Sequence, residues 1–235
     1  MERRDRSVLA AAWRTLAVAL GVRRLRTLAG QVPEPVEHGR WIAALAVLRC
    51  APWLVTVGVL VARMLDAEIE IQPLLPIHRI VDAPLARALS AWSLLLVPVG
   101  VPLVYFMGGL LPHLGLVLTG GARWPLSATL RALALAFAPL YLAVGIVELL
   151  AWAHLAPARI VFGLAAAAFA HAWIAGTVAV AATHRIGVFW GAAVVAPGLA
   201  AWAVVFGARL ALVVGTMPGL DVPPPSPYAI DVSPP

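Results

Sequence analysis

Residues 160–183 read IVFGLAAAAFAHAWIAGTVAVAAT, an unbroken apolar run whose single ionisable side chain is His171. A run of about 20 apolar residues is what an α-helix needs to cross the hydrocarbon core of a bilayer. Lipid offers no partner to a backbone N–H or C=O, so such a run satisfies itself as a helix. The alternating pattern of a barrel strand is absent. Working outward along the chain, four more spans have the same character: 41–62, 89–111, 132–155 and 188–214. Composition agrees with them. Of the 235 residues, 62% are hydrophobic and 12% charged, with a mean hydropathy of +0.93. A soluble domain carries about 25% charged residues, and this chain has too little polar surface to cover a globule in water. The expected fold is therefore all-α: a polytopic membrane protein with a bundle of five transmembrane helices and an N-terminal amphipathic helix.

Arg49 interrupts the first span, and prolines at 52, 98, 102, 139 and 197 fall inside the five spans. Each proline removes a ladder hydrogen bond and is expected to kink its helix. All seventeen basic residues are arginine, and Arg3, Arg4, Arg6, Arg14, Arg23, Arg24, Arg26 and Arg40 precede the first span. The positive-inside rule then puts the N-terminus in the cytoplasm, and five crossings put the C-terminus outside. Richness in arginine and alanine suggests a GC-rich bacterial genome, so the expected location is a bacterial inner (cytoplasmic) membrane.

The chain divides into a cytoplasmic basic segment (1–40), a five-helix transmembrane domain (41–214) and a Pro-rich tail (215–235) expected to be extended. Within the first segment, Leu9, Trp13, Leu16 and Leu20 recur at helical spacing behind Ser7 as N-cap. Two readings stay open for this helix: lying in the cytoplasmic interface with its arginines near anionic lipid, or packing on the protein's own inner loops. The outer connection 66–88 carries Asp66, Glu68, Glu70 and Asp82, without the spacing of a calcium loop. It reads as a solvated link.

Between the second and third spans the chain interrupts itself with GGLLPHLGLVLTGGARWPLSATLR, residues 108–131. Gly120 and Gly121 supply a turn that tolerates positive φ, and Pro125 suits the first turn of the next helix. With Arg123 and Arg131 they form a candidate cytoplasmic turn, and the HLGLVLTGG portion is apolar enough to lie in the interface.

The run LGLVLTGGARWPLSATLRALALAFAPLYL, 114–142, resembles the central signature of the bacterial branch of the Yip (Ypt/Rab-interacting protein) family of five-span membrane proteins. The shared pattern is a hydrophobic helix, Gly-Gly, a short polar stretch, Thr-Leu-Arg and an apolar run carrying Phe137, Ala138, Pro139 and Leu140. The resemblance covers roughly 40–214. It implies a non-enzymatic membrane protein with a scaffolding or membrane-organising role. The Asp-Leu-x-Gly-Pro motif of eukaryotic trafficking members is missing before the first span, so no Rab-type partner is implied.

No catalytic, cofactor-binding or metal-ligating set emerges. The single cysteine, Cys50, leaves no intramolecular disulfide or cysteine metal cluster. There is no lysine for a phosphate loop, and none of the common hydrolase, zinc-protease or dinucleotide patterns occurs. The six histidines are dispersed, with His113 and His184 near the inner interface. No nucleic-acid partner is expected. The expected partners are the lipid bilayer and other membrane proteins, and small-residue helix faces such as GLAAAAFAHAWIAG suit close approach either within the protein's own bundle or to a partner's helix.

What remains is charge within the spans, which costs several kcal/mol unless it is paired or hydrated. Glu148 and Arg209 lie about seven and about five residues before the outward ends of their spans, hence at similar depth, and are expected to pair. His171 is expected within reach of Glu148, making Glu148, His171 and Arg209 a candidate intramembrane polar cluster. Arg49 is expected toward the inner face without an acidic partner, its guanidinium reaching the headgroups. The cluster has two readings: a buried bridge that fixes helix register, or a polar pathway in a small transporter or channel subunit.

Overall fold

The computed structural model describes residues 38–65 and 92–214, together with positions 12, 13, 16, 17, 21, 26, 27 and 29. Five helices follow in order: α1 His38–Leu65, α2 Val97–Leu118, α3 Leu126–Trp152, α4 Ala158–His184 and α5 Val188–Val214. Each contains a stretch long and apolar enough to cross a membrane, and no strand occurs among the described residues. The chain is an all-α, multi-pass integral membrane protein.

α3 is the hub. It touches all four other helices, while α1, α2, α5 and α4 contact one another in that order around it. Its small side chains explain the position: Ala128, Ala132, Ala134, Ala136 and Ala138 are all buried and let neighbouring backbones come close. Where larger side chains meet, they stack. Trp202 of α5 lies 5.2 Å from Tyr141 and 5.6 Å from Phe169 by ring centroids. The opposite faces carry exposed Leu103, Phe106 and Leu110 on α2, and Val204 and Val205 on α5. Such a surface suits acyl chains rather than water.

Two helix ends differ from the sequence expectation. The second span does not stop at 111 with HLGLVL along the interface; α2 runs on through Pro112 to Leu118. An irregular HLGLVL would leave backbone groups unpaired at an apolar surface, and one missing proline N–H is the smaller loss. Residues 92–95 are helical as well, and the helix breaks at Leu96, so Pro98 sits in the first turn of α2, just past that break. The third span begins at Leu126, six residues before the expected 132, with Pro125 at its N-cap. Arg131 consequently belongs to α3 and not to the turn.

The turn itself occupies 119–125. Gly120 has φ +70°, and the N–H groups of Gly121 and Ala122 both donate to the Leu116 carbonyl, at 2.8 and 3.2 Å. A β-carbon at that φ would be strained, which is why glycine stands there.

In the N-terminal segment, Ala12, Leu16 and Ala29 are buried in the same core as the bundle, while Trp13 points away, 72% exposed. Thr183 Oγ1 donates to the Ala29 carbonyl at 3.0 Å. At least one face of this segment therefore packs on the protein itself. Ser7, Leu9 and Leu20, the loop acids Asp66, Glu68, Glu70 and Asp82, and the tail 215–235 lie outside the described residues.

Candidate functional site

Glu148, in the last turns of α3, is 3% exposed. Its Oε2 accepts a hydrogen bond from Arg49 Nη2 of α1. Its Oε1 lies 2.7 Å from Arg209 Nη1 of α5. That second contact is an ion pair without hydrogen-bond alignment, since Oε1 has no aligned donor. Arg209 Nε donates in turn to Ser93 Oγ at 3.1 Å, which ties in the segment before α2. One carboxylate thus joins α1, α3 and α5.

The approach of α1 depends on Gly145, one turn before Glu148. A β-carbon there would sit 3.0 Å from Pro52 Cγ and 3.2 Å from the Arg49 carbonyl oxygen. Only hydrogen at this position lets the α1 backbone come near enough for Arg49 to reach the carboxylate.

The structure brings Glu148 and Arg209 together, but it corrects the other two placements. Arg49 is not at the inner face; it is the second cation of the cluster. Counting from span ends assumes that all helices start at one level, and α1 does not. His38 Nδ1 lies 2.9 Å from Tyr105 Oη, and Trp53 Nε1 donates to the Leu94 carbonyl at 2.9 Å. Tyr105 is 13 residues, about 20 Å of helix, from Leu118 at the far end of α2. α1 is therefore displaced along the bundle toward the end where α3 meets α4. His171 takes no part. It is half-buried near the middle of α4, whereas Glu148 is level with the first turns of that helix, about 14 Å away along the axis.

Among the described residues, two guanidinium groups face one carboxylate, a surplus of positive charge. Three buried donors nearby have no hydrogen-bond partner among those residues: Arg49 Nη1, Arg209 Nη2 and Trp152 Nε1. Trp152 stands one turn beyond Glu148 on the same face of α3.

A second polar set lies at the opposite end of α3. Arg123 N–H donates to His184 Nδ1 at 3.2 Å. His184 Nε2 lies 2.9 Å from Thr129 Oγ1, and Thr129 Oγ1 lies 2.9 Å from His113 Nδ1. The first contact fixes the second. Because Nδ1 of His184 accepts, neutral His184 carries its proton on Nε2 and donates to the threonine oxygen, and a further hydrogen bond joins Thr129 Oγ1 to His113 Nδ1. Thr129 and His184 are fully buried. Sequence reading put both histidines near one interface but missed Thr129. The available signal was a threonine in the first turn after the turn that ends the His113 helix.

Of the candidate turn residues, Gly120 and Gly121 shape the bend, Arg123 pins it through its backbone N–H, and Pro125 precedes α3. The side chains of Arg123 and of Arg185, in the neighbouring α4–α5 connection, are exposed.

No family model, curated protein or solved structure matches this chain.

Proposed function

We propose that the chain is a non-enzymatic structural component of the membrane, a five-span organising or scaffolding protein of the kind its Yip-like signature implies. In this reading it sits in a bacterial inner membrane with its N-terminus in the cytoplasm. The observation that carries the proposal is the occupancy of Glu148: both carboxylate oxygens face arginines from two other helices. A guanidinium stays protonated at any physiological pH. A transport carboxylate must exchange its partner in each cycle, and one gripped by two permanent cations serves better as a fixed tie. The orientation rests on the eight arginines that precede the first span.

A second reading, a small transporter or channel subunit, is favoured by the surplus charge and the unpaired donors around Glu148. Proton and anion flux in liposomes separates the two. A structural protein gives no flux above empty vesicles. Flux abolished by Glu148→Gln in protein that remains folded overturns the structural reading.

A further inference from the structure

The turns 119–125 and 185–187 enclose a cavity of about 290 Å³ that is open on one side and lined in part by Thr119, Gly121, Arg123, Arg185, Gly187 and Trp190. Neither Glu148 nor the His113–Thr129–His184 chain lines it. Both arginines that do are exposed, and no hydrogen bond or ion pair engages either guanidinium among the described residues. Two cations without a partner among the described residues line one concavity, where both can donate to a single anion. Arg123 is also held in place, because its backbone N–H is tied to the buried His184.

Arg185 carries the argument further. It has φ 54° and ψ 46°, the left-handed conformation that ends α4. Glycine is the favoured residue for that position, and a β-carbon there is strained. A strained arginine at such a place points to a use for its side chain. The rest of the lining is largely apolar, with Leu116, Ile186, Trp190 and Val194, and Trp190, which is exposed, belongs to the aromatic type that settles at headgroup level. A ligand with an anionic head and an apolar tail matches both parts.

We propose that this cavity is a receptor for a phosphate group, gripped by the Arg123 and Arg185 guanidinium groups and supplied by a phospholipid headgroup or a soluble phosphate compound. The planar, multi-donor guanidinium suits phosphate oxygens. The site goes beyond the structural role proposed above and does not depend on it.

The test is thermal melting of the purified full chain in a neutral detergent, titrated separately with phosphatidylglycerol, phosphatidylcholine and inorganic phosphate. Phosphatidylglycerol is expected to raise the melting temperature, with phosphatidylcholine doing less. The apparent affinity should fall at least about tenfold in Arg123→Gln and in Arg185→Gly. Without ligand, Arg185→Gly should melt at or above the wild-type temperature, since glycine relieves the turn; this separates lost binding from lost folding. Protection by inorganic phosphate alone supports the receptor and assigns its source to a soluble compound, whereas selective protection by phosphatidylglycerol assigns it to lipid. Equal protection of wild type and both variants overturns the proposal, as does no protection by any phosphate probe. A large destabilisation of ligand-free Arg185→Gly also overturns it, because the arginine would then be structural.

Discussion

Glu148 and Thr129 are both buried on α3, 19 residues apart, which is about 28 Å along one helix. Each is the centre of a polar set that links α3 to two other helices. At the Glu148 end the members are charged, one acceptor group serves two cations, and donors are left over. At the Thr129 end the members are neutral, and one hydrogen bond links each neighbouring pair in the chain from Arg123 N–H to His113. The difference separates strength from economy. The charged set is held by strong attraction but tolerates no loss of its one anion. The neutral set is weaker at each link yet leaves nothing unpaired within it.

That contrast predicts an order of effects. Glu148→Gln should be the most damaging change, because it leaves the buried Arg49 guanidinium and the partly buried Arg209 guanidinium uncompensated; breaking a buried ion pair in this way costs about 3–5 kcal/mol. The check is melting temperature and recovered yield in mild detergent, with both expected to collapse. Gly145→Ala comes next. Its β-carbon would press on Pro52 and on the backbone of Arg49, and overpacking of that kind costs about 1–3 kcal/mol. The same melt should show a clear fall, and disulfide trapping between cysteines engineered into α1 and α3 should become less efficient.

Thr129→Val should cost about 1–3 kcal/mol, since it breaks two hydrogen bonds of about 0.5–1.5 kcal/mol each at unchanged shape. Thr129→Ser should restore most of the loss, and a serine variant as unstable as the valine would remove the hydroxyl from the account. The smallest effect belongs to Arg209→Met, at about 1 kcal/mol or less. It leaves Arg49 and Glu148 as a neutral pair, and the Arg209 side chain is already 18% exposed. A loss there as large as that of Glu148→Gln would mean that the two ends differ for some reason other than charge balance.

Much of this was legible in the residues, and what was not has a physical cause. The count of five crossings follows from apolar length alone. The Glu148–Arg209 contact was within reach because α3 and α5 start at the same end of the bundle, so counting residues measures depth correctly for both. Arg49 defeated the same method. The displacement of α1 is set by how Pro52 seats against Gly145, a packing result that no count along a single helix contains. The end of α2 was misjudged for another reason: Pro112 and the Gly120–Gly121 pair both read as punctuation, and only the glycine pair turns the chain. Thr129 escaped notice because a threonine near a helix start is common, and its two histidines come from helices that the sequence does not show to be neighbours.

The measurement that bears most directly on the three-helix tie is a pair of charge reversals compared by melting temperature in the same detergent. If Glu148 served Arg209 alone, Glu148→Arg with Arg209→Glu would restore stability. With Arg49 as the second cation, that double variant places two arginines against each other and should stay as unstable as Glu148→Gln. Adding Arg49→Glu should then recover a substantial part of the loss. Rescue by the double variant, or no gain from the triple, would contradict the arrangement.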